Sequence, residues 1–331
     1  MIKKIIALSI ISVIMLFTYN VVAGQSSQND TTNEIAVLRN EALKLINSGQ
    51  YGPAEVFLLD RLKIEKDPQA IFVIHSFLGK IYMFINKLEK AVENFDKALA
   101  ISPNDGPTHF NKGCLLRKIP GKLKDAVVEF EKAKANDCQY AMLSVALGGC
   151  YKDLYEVLIS SPELKPEEKA EADGYFNKAV EVLTNRSYME ISSSNALADL
   201  YYSAGIYEVA LKHNLFLFQQ APGGMQGARL AHTYIALGKI DEAVDILNKT
   251  IDRLDKAISA QKNYVDYDGK TAEMRALFYV YFIEAMQKSA NKAEELKYAK
   301  ILLELTSPNI KPRTKKMDEW NEMAQKIITF K

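Results

Sequence analysis

Residues 72–105 read FVIHSFLGKIYMFINKLEKAVENFDKALAISPND, and their spacing predicts two antiparallel helices joined by a short turn. Two small residues, Gly79 and Ala91, fall where the helices would approach most closely. Large apolar side chains that would fill the space between the helices recur at helical spacing, and they are Leu78, Tyr82 and Phe95. Pro103 would end the second helix, because proline lacks the amide hydrogen that a helix interior needs.

The same spacing recurs along the chain with a period of about 34 residues. The order Leu-Gly, Tyr, Ala, Phe, Ala and Pro in residues 72–105 resembles the tetratricopeptide repeat (TPR). The resemblance implies an all-α fold, a right-handed α-solenoid of about seven helix-turn-helix units plus a C-terminal capping helix. The expected units lie near residues 35–71, 72–105, 106–140, 141–187, 191–223, 224–257 and 272–308.

Two segments depart from the regular period. Residues 151–171 lengthen the first helix of the fourth unit and insert a loop marked by Pro162 and Pro166. Residues 309–331 are the predicted cap, in which an amphipathic helix carries Trp320, the only tryptophan of the chain, on its apolar stripe. This position favours core packing of the tryptophan over a ligand-stacking role.

The N-terminus is typical of a secretory signal peptide. Lys3 and Lys4 precede an apolar core at residues 5–17, and Val-Val-Ala follows at 21–23. We expect cleavage after Ala23, a flexible leader at residues 24–34, and a protein that is exported to a periplasm or cell envelope or is secreted. An uncleaved membrane anchor is the alternative, although the apolar run is shorter than the ~20 residues that a span needs.

Composition and motifs exclude several classes of function. Lys and Arg number 42 against 41 Asp and Glu, which gives a net charge of +1 and no basic footprint for nucleic acid. After the signal peptide, no stretch is long and apolar enough for a membrane span. Residues 266–269 (Asp-Tyr-Asp-Gly) approach a calcium loop, but Arg275 stands where the loop needs a bidentate Glu. We therefore expect no metal and no cofactor.

The reactive side chains form no recognisable catalytic motif. His75 and His109 occupy packing positions of their repeats, and His213 has no apparent partner. The three cysteines are best interpreted as buried thiols, with a disulfide between Cys114 and Cys150 as the alternative. These observations predict a protein that is not an enzyme.

In TPR proteins the first helices of the units line a concave groove, so the resemblance implies a partner-binding groove here. The side chains expected in that groove are Lys80, Phe84, Phe110, Arg117, Lys118, Lys152, Asp199, Tyr202 and His232. Their basic members predict a protein or peptide partner with an acidic segment, and the function predicted is that of a scaffold or adaptor. The alternative is a groove-based enzyme or solute-binding protein with a site near residues 151–171.

Overall fold

The computed structural model describes residues 33–184, 190–260, 270–308 and 314–329. Over these ranges the chain is all-α, with fifteen helices and no strand, which confirms the predicted fold class. The helices are α1 (33–47), α2 (Tyr51–Ile64), α3 (Pro68–Phe84), α4 (Leu88–Ile101), α5 (Gly106–Arg117), α6 (Leu123–Ala135), α7 (Met142–Ile159), α8 (Pro166–Thr184), α9 (Glu190–Ser203), α10 (Tyr207–Gln220), α11 (Gly224–Ala236), α12 (Ile240–Ser259), α13 (Lys270–Lys288), α14 (Lys292–Leu305) and α15 (Lys315–Thr329).

Odd-numbered and even-numbered helices alternate as the first and second members of antiparallel pairs, from α1 and α2 to α13 and α14. Two of the first helices begin at a well-formed cap. The Asp67 carboxylate accepts from the amide of Gln69 at 3.0 Å, and Asp105 accepts from the amide of Thr108 at 2.8 Å. In both helices a proline stands in the first turn, where its missing amide hydrogen costs nothing.

The described chain divides into two compact units at Cys150 and Tyr151. In unit 1, which ends at Cys150, α3 crosses α4 at Gly79, and a Cβ atom there would lie 2.6 Å from the ring of Phe95. Gly113 meets the ring of Phe130 in the same way between α5 and α6, at 2.7 Å. Both rings are fully buried, so glycine at these positions lets the helices pack closely around an aromatic core.

In unit 2, which begins at Tyr151, the core lies between α11, α12 and α13, where Phe278 and Phe282 are buried. The last helix, α15, packs its apolar face on α13 and α14, and Trp320 belongs to that contact. The side-chain amide of Asn321 is buried there and donates to the carbonyl oxygen of Thr306 at 3.0 Å. The C-terminal helix therefore covers the end of the helix pairs with the face that the sequence predicted.

The insertion in the fourth unit is mostly helical. Helix α7 runs to Ile159 and α8 begins at Pro166, so only residues 160–165 connect the two helices. Pro166 opens α8 instead of marking a loop, as proline does at the first position of many helices. The predicted signal peptide and the Asp266–Gly269 motif lie outside the described residues, and within them no helix combines the length and hydropathy that a membrane crossing requires.

Candidate partner-binding surface

Four partly exposed aromatic rings form a row in unit 2, three of them on first helices and Tyr207 at the start of the second helix α10. The ring centroids of Tyr207 and Tyr202 are 5.2 Å apart, those of Tyr202 and His232 are 4.8 Å apart, and those of His232 and Tyr281 are 4.7 Å apart. Tyr202, His232 and Tyr281 come from α9, α11 and α13 in turn. Such stacked and tilted contacts stabilise aromatic pairs beyond their buried area, so the row holds three repeats in register at the surface.

Polar atoms join the same rings. A hydrogen bond of 2.9 Å connects the Tyr202 hydroxyl and Nε2 of His232, and Oε2 of Glu284 lies 3.6 Å from the same nitrogen. Burial lowers the pKa of His232, and Lys288 nearby lowers it further. Burial also raises the pKa of Glu284, against the opposing effect of Lys288. Burial thus favours the neutral form of both the imidazole and the half-buried carboxyl group at this site.

A second network lies beside these rings and is centred on Arg229 of α11. Its guanidinium donates to the side-chain oxygen of Asn195 at 2.9 Å and to the backbone oxygen of Asn195 at 3.0 Å, and it forms an ion pair with Asp199. Burial raises the pKa of Asp199 even though Arg229 opposes the shift. The fork-shaped guanidinium therefore ties α11 to two positions of α9.

Lys152 of α7 belongs to a third group in unit 2. Its ammonium lies 2.7 Å from Glu156 and 3.2 Å from Asp153. Burial would lower the pKa of Lys152, but these two carboxylates outweigh burial and raise it. Ser203 of α9 donates to the other oxygen of Glu156 at 2.8 Å. Lys152 thus lies within an ion-pair network, where neighbouring acids offset its charge.

In unit 1 the predicted groove residues have varied surroundings. The Lys80 ammonium lies over the ring of Phe77, 5.3 Å from its centroid, and burial lowers its pKa. Phe84, with 55% of its surface exposed, stacks on Tyr51 with centroids 5.4 Å apart. Phe110 packs edge-on against Tyr140 and also contacts the Phe130 ring, so part of its surface supports the fold.

Arg117 and Lys118 end α5 at the exposed surface of unit 1. The Arg117 guanidinium extends to α7, where a Cβ atom added at Gly149 would lie 3.1 Å from one of its nitrogens. Cys114, one turn earlier, is partly exposed, and burial raises the pKa of its thiol to about 11. The three cysteines all lie in the described chain and are free thiols. The raised pKa keeps the Cys114 thiol in its protonated, less reactive form.

Asp199, Tyr202 and His232 of the predicted set come together in unit 2, but sequence analysis missed three of their contacts: Arg229, Tyr281 and Glu284. Arg229 and Tyr281 occupy equivalent positions of two repeats. Three residues later, His232 and Glu284 occupy a second pair of equivalent positions. The groove positions taken from the TPR resemblance did not include the position of Arg229 and Tyr281. The signal that could have found Arg229 is its basic side chain on an otherwise apolar first helix.

Tyr281 and Glu284 were missed because the predicted groove included no side chain of the last unit. In the units near 191 and 224, a glycine with positive φ, Gly205 or Gly238, lies fourteen residues after the start. In the last unit the corresponding left-handed residue is Ala290, with φ of 56°. Counted back from these turns, Glu284 aligns with His232.

The surface lacks the geometry of a catalytic relay. In such a relay a carboxylate orients the imidazole through one ring nitrogen while the other nitrogen meets the nucleophile. Here Tyr202 and Glu284 both approach Nε2 of His232. Burial and Glu284 raise the pKa of Tyr202, which disfavours a tyrosinate nucleophile. Among the described residues, no group of three His, Cys, Asp or Glu side chains could hold a metal ion.

Paired helices that alternate along the described chain, with polar and aromatic side chains on their first members, define an all-α helical-repeat fold. Two segments, residues 74–105 and 228–253, match the tetratricopeptide repeat family. Each compact unit thus contains one segment that matches the tetratricopeptide repeat model.

Solved structures agree on the fold. A TPR protein from Parabacteroides merdae superposes with a TM-score of 0.52 at 15% identity, over 88% of this chain and 98% of that one. The C-terminal part of a TPR repeat-containing protein from Cytophaga hutchinsonii superposes with a TM-score of 0.59 at 15% identity, over 85% of this chain and 98% of that one. No curated protein sequence matches the chain. At these identities the likeness is one of fold.

Proposed function

We propose that the protein is a non-catalytic scaffold or adaptor that binds a protein partner along the first helices of its repeats. The observation that carries this proposal is the surface of unit 2, where side chains of α7, α9, α11 and α13 bond to one another at the surface and not in the core. These side chains are already fixed before a partner arrives. Such preorganisation lowers the entropic cost of binding.

The composition of this surface also favours protein binding. Tyr and Arg are the residue types that contribute most to the energy of protein interfaces, because they combine apolar area with directional hydrogen bonds. Tyr202, Tyr281 and Arg229 are partly exposed on adjacent first helices. An enzyme or solute-binding site near residues 151–171 has weaker support, because most of that segment is helix.

Site-directed photocrosslinking tests the proposal. A photoreactive amino acid at Ser203, which is exposed on α9 beside Tyr202, should crosslink one defined protein in cells or in envelope extract. The matched control carries the same group at Lys256, exposed on the second helix α12 of the same unit. Arg229→Ala should reduce the crosslink from position 203. Equal background crosslinking from both positions would contradict a specific surface on the first helices.

Unit 1 supports an acidic segment in the partner. Lys80, Arg117 and Lys118 lie on first helices, with the exposed ring of Phe84 as an apolar contact. Exposed charges steer association more than they add affinity. Reversing the three charges to Glu should slow association of the identified partner and flatten its salt dependence, whereas Phe84→Ala should mainly speed dissociation. An unchanged association rate in the triple variant would exclude the acidic segment at this position.

We also propose that the protein is exported after cleavage behind Ala23. The support is the basic start, the apolar core at residues 5–17 and the small residue at 23. N-terminal sequencing of protein recovered from the envelope or medium should begin at Gly24. Recovery of a chain that still begins at Met1 in the cytoplasmic fraction alone would overturn the proposal.

A further inference from the structure

We propose that Tyr202, His232, Tyr281 and Glu284, here called the aromatic–carboxylate site, bind a cationic side chain of the partner, with the guanidinium of arginine as the best fit. This inference rests on the proposed scaffold function and assigns the chemistry of the partner at unit 2. It differs from the acidic segment proposed for unit 1.

The rings provide the first part of the argument. A cation within about 6 Å of an aromatic centroid is attracted by the negative face of the ring, and guanidinium also stacks on such faces because it is planar and weakly hydrated. Tyr202, His232 and Tyr281 are partly exposed and succeed one another at less than 5 Å between centroids. Because neighbouring rings cover part of one another's faces, a flat cation would contact the ring surface that stays exposed along this row.

The carboxylate provides the second part. The Glu284 side chain is 36% exposed and contacts His232. Because the pKa of His232 is lowered, its neutral imidazole supplies no positive charge to Glu284. The two cations nearby have other partners, because Lys288 donates to the carbonyl oxygen of Ile235 at 3.0 Å and Arg229 binds Asn195 and Asp199. Burial raises the pKa of Glu284, so its ionised form lacks sufficient solvation in the free protein. An incoming cation would supply that missing stabilisation.

Other partner chemistries fit less well. An acidic side chain would meet Glu284 here and Asp199 and Glu156 nearby, and like charges in close contact are unfavourable. A purely apolar side chain would remove water from Glu284 without replacing its hydrogen bonds, which is costly for an ionised group. A basic side chain with an aromatic-stacking face avoids both penalties.

Three capped pentapeptides that differ at the central position provide the test: one carries arginine, one carries citrulline, which has the same shape without the charge, and one carries glutamate. Binding to the full chain is measured by NMR titration, with the His232 imidazole and Tyr281 ring signals as reporters. We expect the arginine peptide to bind best. Glu284→Gln should weaken it by about three- to tenfold, and the control Glu319→Gln, the same charge change at an exposed position of α15, should leave it unchanged.

Ring variants separate binding from folding. Tyr281→Phe keeps the ring and should retain the arginine peptide, while Tyr281→Leu should lose it with the fold intact by circular dichroism. Equal or tighter binding of the glutamate peptide, equal effects of Glu284→Gln and Glu319→Gln, or no binding of the arginine peptide would each overturn the inference. The scaffold proposal is tested separately by the crosslink from position 203, because that experiment does not require a cationic partner.

Discussion

Gly79 lies where α3 crosses α4, and its replacement by alanine tests the packing of the repeat directly. A Cβ atom at this position would lie 2.6 Å from Cδ1 and Cε1 of Phe95, which is much shorter than an ordinary van der Waals contact of 3.4–4 Å. Phe95 is fully buried, so its ring has little room to withdraw. Either the ring or the helix must therefore move by about 1 Å, which a densely packed core resists.

The magnitude follows from two opposing contributions. Overpacking a well-filled core costs about 1–3 kcal/mol. Alanine, however, stabilises a helix interior by about 1 kcal/mol relative to glycine. Gly79→Ala should therefore lower the free energy of unfolding by roughly 0–2 kcal/mol. Gly113→Ala should behave in the same way, because its Cβ would lie 2.7 Å from the ring of Phe130.

Gly174 is the matched control, because it lies in the interior of helix α8 with no atom within 4 Å of its would-be Cβ. Gly174→Ala should raise the free energy of unfolding by up to about 1 kcal/mol. Urea unfolding followed by circular dichroism would measure both. Combining Gly79→Ala with Phe95→Leu should cost less than the sum of the single changes, because the smaller side chain relieves the clash. If Gly79→Ala raises stability as much as Gly174→Ala does, the close contact does not exist and the packing argument fails.

Three further outcomes are expected. Burial lowers the pKa of His232, so the contribution of His232 to stability is present above its ordinary pKa of 6.5 and is lost as the pH falls toward its lower value in the folded protein. In urea unfolding, the stability of His232→Asn should therefore vary less between about pH 7.5 and pH 5.5 than that of the unchanged protein. An unchanged pH dependence would contradict this. Burial would raise the pKa of Glu129, but hydrogen bonds from His109 and Lys112 outweigh burial and lower it. Glu129→Gln should therefore cost about 1.5–3 kcal/mol of stability near neutral pH. The variant should also lose less stability in acid, below the ordinary glutamate pKa of 4.5. Deletion of residues 314–331 uncovers the apolar face of the last helix pair, so size-exclusion chromatography should show aggregation, whereas a monomer with full helicity would argue against a capping role.

The fold could be predicted from the sequence because its determinants are local and repeated. The spacing of Gly79, Tyr82, Ala91 and Phe95 recurs along the chain, and each recurrence adds to the same conclusion. The export signal and the unit boundaries stay predictions, since they rest on sequence patterns alone.

The candidate site was only partly predictable, because it depends on contacts between repeats. A repeat pattern shows which residues share a helix face, but not which side chain of the next unit will meet them. Lys152 is an example: it was predicted as one of the basic side chains of the groove, and its partners Asp153 and Glu156 follow it on the same helix. Tyr281 and Glu284 lie in the last unit, for which no groove residue was predicted.

Asp199, His232 and Glu284 occupy the same repeat position in three units of the second half of the chain. These side chains differ in charge and size, whereas the buried residues of the three units are similar apolar side chains. A position that only needed to be soluble would tolerate lysine or glutamate in any unit, with each side chain extended into water. Here the three side chains instead reach neighbouring helices: Asp199 pairs with Arg229, and Glu284 approaches His232. Each of these contacts keeps a charged or polar group half-buried, which costs solvation that an isolated repeat would not lose. A partner that supplies complementary charge can recover this cost on binding, so the difference between the units at this one position is what would let the surface select one partner segment over another.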